Sequence, residues 1–247
     1  MQPKESINDF VIKFANVNGT GSASANGMFA KAIFRMGIPV SPRNIFPSNI
    51  QGLPTWYEVR VSRDGYLGRR GGVDMMISVN PQSFAKDVSE VEPGGYMVYD
   101  TTKPLDLRHV RRDVNYLGIP LTEMCLREYT DSRQRQLFKN VIYVGALAAL
   151  LNIDFAILKD LVREQFKGKE KLITPNIHAL EMGHQYASTH FTCPLGIHLK
   201  AGEQTPKHIE EFDQILMDGN TATALGAVYA GATVAAWYPI TPSTSVV

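Results

Sequence analysis

Phe10-Val11-Ile12-Lys13-Phe14-Ala15, followed by Asn18-Gly19-Thr20-Gly21-Ser22-Ala23-Ser24, is the stretch that decides the fold. The first run is short, apolar and bounded by turn residues, which predicts a buried strand. The second is a loop of small residues. A helix is predicted from about Ala25 to Met36, with Gly37 ending it. Strand, glycine-rich loop and helix in that order open a Rossmann-like unit.

Outward from this unit the pattern continues. Strands are predicted at Thr55–Ser62, Val73–Val79 and Gly95–Tyr99, with a helix over Pro81–Val91 that places Pro81 in its first position. Alternating strands and helices predict an α/β fold with a mainly parallel sheet covered on both faces. From Asp131 onward helices take over. Arg133–Leu151 is long and mostly apolar, and Phe155, Leu158, Val162 and Phe166 repeat at helical spacing behind an Asp154 cap. Thr174-Pro175 is expected to open a third helix running to about His190. The polar span Thr192–Phe212 reads as a linker.

Composition excludes several classes. A net charge of +1 gives no electrostatic case for nucleic acid or an anionic membrane surface. The longest apolar run, Val141–Leu151, is well short of the roughly 20 residues that span a bilayer. Met1–Ser6 has no apolar signal-peptide core, so a cytoplasmic location is expected. Two cysteines, Cys125 and Cys193, are too few for an iron–sulfur cubane, which takes four thiolates. His178, His184 and His190 recur every six residues and diverge around a helix, so no metal site is expected from them.

Gly19, Thr20, Gly21 and Ser22 form a candidate phosphate loop: glycines let amides approach an anion, and a helix N-terminus adds partial positive charge. A nicotinamide-binding fingerprint is disfavoured, because Ser24 occupies the third glycine position and Ile38–Ile45 contains no acid to hold a ribose. A ligand-free strand–helix turn is the plain alternative. Near the carboxyl end, Gly219-Asn220, a helix of small residues and a short apolar strand lead to Tyr238-Pro239-Ile240-Thr241-Pro242-Ser243. The two prolines fix Thr241 on a stiff, extended turn.

That motif, with Gly219-Asn220 upstream, resembles the start of the pyrimidine-binding domain of the 2-oxoacid:ferredoxin oxidoreductases, and the first part of the chain resembles the family's gamma domain. The resemblance implies a fused gamma–alpha subunit of the 2-oxoglutarate type. It would have a Rossmann-like gamma domain over 1–191, a linker over 192–213 and a truncated alpha domain over 214–247. It implies oxidative decarboxylation of a 2-oxo acid with coenzyme A as acyl acceptor and ferredoxin as electron acceptor. Thr241 would lie near the thiazolium of thiamine diphosphate, flanked by Tyr238, Pro239, Ile240 and Pro242. Magnesium and the iron–sulfur cluster would reside on a beta-subunit partner, and the fragment alone would be inactive. Phe46-Pro47-Ser48-Asn49-Ile50-Gln51-Gly52 resembles a family stretch of Pro-Ser-x-Ile, a basic residue and Gly; Gln51 stands where the base belongs. The resemblance marks Ser48 and Gln51 for substrate or coenzyme A, with Arg60 as a replacement cation. Two rival functions remain: a dinucleotide-binding reductase using Gly19 and Gly21, and a non-catalytic assembly module.

Overall fold

In the computed structural model, which describes residues 2–17, 19–45, 53–202, 215–238 and 243–246, the run around Phe10 is an inner strand of the main sheet. β1 (Ser6–Ile7) precedes β2 (Asp9–Val17), which is buried on both faces, as a strand with a layer on each side must be. The order continues with α1 (Ser22–Arg35), β3 (Val40–Ile45), β4 (Pro54–Ser62), β5 (Val73–Ser78), α2 (Phe84–Glu90), β6 (Val91–Asp100) and β7 (Asn115–Ile119). Then come α3 (Leu121–Glu128), α4 (Ser132–Leu151), α5 (Phe155–Gln165), α6 (Glu170–His190), β8 (Ile197–His198) and α7 (Gly219–Tyr229), with a 3-10 turn at Ser243–Val246.

Six strands lie in the order β3-β4-β2-β5-β6-β7. β2, β5, β6 and β7 are mutually parallel, while β4 runs antiparallel to both β2 and β3. The sheet is therefore mainly parallel, as expected. β3 and β7 were not foreseen. β3 is an edge strand, where Pro42 can sit without breaking an interior ladder.

Strand alternation sorts the core into two layers. Phe10, Ile12, Phe14, Met75, Ile77 and Val98 face α1 and the α3–α6 block. Ala15, Met76 and Met97 face α2 through Phe84 and Val88. α4 and α6 pack backbone to backbone: a Cβ on Gly145 would lie 2.0 Å from the Leu180 carbonyl oxygen, and one on Gly183 would lie 1.9 Å from that of Ile142. Asp131 and Asp154 cap α4 and α5, accepting from the Gln134 and Ala156 amides at 2.8 and 2.9 Å.

Four expectations change. α6 begins at Glu170, so Pro175 lies inside it, not at its start. The turn starts because Lys169 and Leu172 donate to the Phe166 and Lys169 carbonyls. Beside the proline, the Asn176 side chain donates to the Leu172 carbonyl at 2.7 Å. Pro81 opens a turn instead of a helix: Ser83 donates back to Asn80, and α2 starts at Phe84. Residues 192–200, read as linker, are docked. β8 pairs with β1, Leu195 and Leu199 donate to the Leu150 and Leu151 carbonyls, and Asn8 bonds Lys200 in both directions. Ile197 and Leu199 are fully buried there, which no spacer would be. Residues 232–238, read as a strand, are irregular and exposed, with no ladder partner among the described residues.

Candidate functional site

β2 and β5 run side by side in parallel, Ile12 opposite Met75 and Ala15 opposite Ser78. After β2 the chain turns to β3 and β4 on one side; after β5 it turns to β6 and β7 on the other. The strand order thus reverses between β2 and β5. In open α/β sheets the crevice beyond the carboxyl ends of such strands is where ligands bind.

The Gly19–Ser22 loop lies at that point. Gly19 and Gly21 have φ of 84° and 76°, the left-handed region where a side chain is strained. Gly21 is also the N-cap of α1 and offers no side-chain oxygen, and the first turn of the helix contains no acid. The leading amides of α1 therefore keep their donors for something else, and an anionic oxygen suits them. The Thr20 hydroxyl donates to the Val17 carbonyl at 2.8 Å, so it closes the turn. Ser22 is buried in the first helical turn.

A buried polar network underlies the loop. Asn26 of α1 donates to the Asn16 side-chain oxygen at 3.1 Å, and the Tyr143 hydroxyl of α4 donates to the Asn26 oxygen at 2.7 Å. Burial pushes the Tyr143 hydroxyl far above the usual phenol range, so it stays a neutral donor. Asn80, just past β5, donates to the Asn16 carbonyl at 3.3 Å. Asn140 of α4 donates to the Thr20 carbonyl at 3.0 Å, a direct grip on the loop. On the opposite face Asp87 accepts from Trp56 Nε1 at 2.9 Å, Ser78 Oγ at 2.9 Å and Ser83 Oγ at 2.8 Å. Burial raises its carboxyl pKa, and those three donors together pull less strongly the other way. Trp56 pairs with Ile45, so this second cluster braces the end of the β3–β4 pair against the loop after β5. A small cavity of about 100 Å³ opens beside it, lined by Ser78, Pro81, Phe84, Tyr99 and Leu105.

The other sequence-derived candidates separate. Arg60 faces the α2 side but pairs in register with Val11, roughly 16 Å along the sheet from the Asn16 level at about 3.3 Å per residue. Its guanidinium is nearly buried, paired with Asp9 and donating to the Phe10 and Val61 carbonyls. The structure does not bring it to the loop. Ser48 and Gln51 lie outside the described residues, but the flanking Ile45 and Pro54 end at the carboxyl side of β2, next to the loop. Tyr238 is exposed; Pro239, Ile240, Thr241 and Pro242 lie outside the described residues. Among the described residues no three His, Cys, Asp or Glu groups cluster to hold a metal ion, and no helix is long and apolar enough to cross a membrane. Burial pushes the Cys125 thiol up to about 11 and raises that of Cys193, as befits packing thiols.

Asn16, Asn26, Asn80, Asn140, Tyr143 and Asp87 were missed as site residues. For the asparagines a signal was available: an amide at the head of an apolar run, as Asn140 before Val141-Ile142-Tyr143-Val144, must find a partner once buried. What the run cannot say is which partner.

With this geometry in hand, comparison with known proteins is decisive. The family model for pyruvate ferredoxin/flavodoxin oxidoreductase matches residues 11–186. The chain belongs to that family. Its relatives include the alpha subunit of 2-oxoacid:ferredoxin oxidoreductase 2 of Aeropyrum pernix, 25% identical over 96% of this chain and 42% of that protein. The 2-oxoglutarate oxidoreductase subunit KorA of Mycobacterium tuberculosis is 22% identical over 98% of this chain and 41% of its own length. Among solved structures, 2-oxoglutarate:ferredoxin oxidoreductase from Magnetococcus marinus, with 2-oxoglutarate, coenzyme A and succinyl-CoA bound, superposes with a TM-score of 0.80 at 27% identity. That match covers 97% of this chain and 40% of the other. The gamma subunit of a keto/oxoacid ferredoxin oxidoreductase from Geobacter sulfurreducens shares the fold, with a TM-score of 0.58 over 73% of this chain and 99% of that subunit, at 18% identity. The chain thus spans about two fifths of the length of these two oxidoreductase subunits. Such oxidoreductase subunits work in assemblies that contain other subunits.

Proposed function

We propose that this oxidoreductase-family chain is the gamma-like portion and the start of the alpha portion of a 2-oxoacid:ferredoxin oxidoreductase. The reaction is coenzyme A-dependent oxidative decarboxylation of 2-oxoglutarate to succinyl-CoA. The observation that carries this reading is the likeness, along nearly the whole chain, to the Magnetococcus marinus enzyme described with those ligands bound. In this proposal the gamma-like domain runs through the docked β8 to about residue 202, and the alpha portion begins near residue 215.

The Gly19–Ser22 loop and the first amides of α1 hold the diphosphate of coenzyme A. Gly21 is the N-cap and supplies no competing side-chain acceptor, and the first turn has no carboxylate to repel an anion. Ser48 and Gln51 belong to the β3–β4 connection, whose ends flank the same loop, and contribute neutral hydrogen bonds to coenzyme A or substrate. Thr241 contacts the thiamine site, with Tyr238, Pro239, Ile240 and Pro242 shaping the turn around it; this assignment rests on the motif. Thiamine diphosphate, when bound, supplies the carbanion stabilisation that decarboxylation of a 2-oxo acid needs. Magnesium and the iron–sulfur cluster belong to a beta-subunit partner, and ferredoxin takes the electrons.

The test is reduction of a viologen dye by the full-length natural protein assembled with its partner subunits. Reduction is expected to require coenzyme A and to be fastest with 2-oxoglutarate. Absence of reduction with every one of several 2-oxo acids overturns the proposal.

A further inference from the structure

The buried network beneath the loop has a direction: it starts in the helical block and ends on the backbone of the proposed coenzyme A site. Asn140 and Tyr143 are three residues apart on α4, so both project from one face of that helix. Asn140 holds the Thr20 carbonyl itself. Tyr143 holds Asn26, which holds Asn16 at the end of β2, and Asn80 closes on the same Asn16 from the end of β5. Asn16, Asn26, Asn80 and Asn140 are all at most 3% exposed, and Tyr143 is fully buried. Among these buried side chains solvent cannot replace a lost partner, so removing the Tyr143 hydroxyl leaves a buried polar atom unpaired; the Thr20 carbonyl itself belongs to a half-buried residue.

We infer that Asn140 and Tyr143 are positioning residues for coenzyme A: α4 sets the pitch of the Gly19–Ser22 loop, and with it the direction of the leading α1 amides. The inference rests on the proposed function, since it presumes that coenzyme A occupies this loop. Geometry supports a role beyond packing. Pure packing would be met by Phe and Leu at these positions, yet Tyr143 gives its hydroxyl to α1, and the Asn140 amide donates to the Thr20 carbonyl as well as to the Gln136 carbonyl of its own helix at 3.3 Å. A loop carbonyl gripped at 3.0 Å by a neighbouring helix of the same layer as α1 is fixed against rotation of the Thr20–Gly21 peptide. That rotation would turn adjacent amides away from an anion.

The test uses the assembled enzyme with two near-isosteric variants, Asn140→Asp, which keeps shape but cannot donate to the Thr20 carbonyl, and Tyr143→Phe, which loses only the hydroxyl. Gly21→Ala serves as the direct lesion of the loop. KM for coenzyme A, KM for the 2-oxo acid and melting temperature are measured on each. Both positioning variants are expected to raise KM for coenzyme A about five- to tenfold, the effect of one misplaced hydrogen bond, with turnover recovered at saturating coenzyme A and KM for the 2-oxo acid unchanged. If Gly21→Ala raises KM for coenzyme A while the other two do not, the positioning role is wrong and the site assignment stands. If none of the three moves it, the site assignment itself fails. Parallel loss of affinity for both substrates together with a lowered melting temperature means a merely structural role and also overturns the inference. Should one variant not fold, the other decides.

Discussion

At Gly21 the backbone adopts φ of 76°, and a Cβ built there would lie 2.4 Å from a Leu137 methyl group. Both facts oppose any side chain. Gly21→Ala is therefore expected to cost about 1–2 kcal/mol, chiefly the left-handed strain because Leu137 is partly exposed and can move, measured by urea denaturation. An unchanged midpoint would mean that the loop relaxes freely. Asp87 gives a pH prediction. Burial raises its folded pKa above the ordinary 3.8, so the folded state binds its proton more tightly than the unfolded chain. The stability this adds is complete below 3.8 and is lost as pH rises through the raised folded value, after which it levels. Asp87→Asn lets the Ser78 and Ser83 hydroxyls accept where they donated, and it should remove that downward slope. Identical pH profiles of unfolding free energy for the two proteins would contradict the assignment. The glycines of the loop were legible in the sequence, because few other residues tolerate that conformation. Arg60 was misleading: its type and strand face were read correctly, but nothing local reveals Asp9 as its partner across the sheet.

Helix contacts separate glycines that look alike in sequence. Gly145 and Gly183 sit where α4 and α6 touch, and any Cβ there meets backbone that cannot swing aside. Gly145→Ala and Gly183→Ala are each expected to destabilise by about 3 kcal/mol or more, at the upper end of overpacking. Gly27 lies in the middle of α1 on the groove facing α5, and a Cβ there meets nothing within 4 Å. Gly27→Ala should instead stabilise by about 0.5–1 kcal/mol through helix propensity. Thermal unfolding of the three variants checks the opposition of sign. Sequence periodicity found α4 and α5 because their apolar positions repeat behind Asp131 and Asp154 caps, and it found α1 because a glycine-rich loop precedes it and Gly37 follows it, although α1 begins at Ser22, three residues before the expected start. It misplaced the start of α6 because a Thr-Pro pair is a common helix opening, whereas the helix already begins at Glu170, behind the hydrogen-bonded turn at Phe166–Leu172. β3 and β7 escaped because one is a polar edge strand and the other is five residues long.

Over the whole molecule, strand order is what builds the site. Periodicity gave strands and helices but not neighbours, so the insertion of β4 between β3 and β2, and the reversal between β2 and β5, could not be read off the chain. Once that order is set, the loop after β2, the end of the β3–β4 pair and the loop after β5 converge, and two buried polar clusters lock them from opposite faces. The family match over residues 11–186 covers this converging unit, so the site sits in the part of the chain whose kinship is established. The most direct measurement is a structure of the assembled enzyme with coenzyme A bound. The diphosphate should lie within hydrogen-bonding distance of the amides at the start of α1, beside Gly21. A coenzyme bound with its phosphates elsewhere on this domain, or entirely on a partner subunit, would contradict the account.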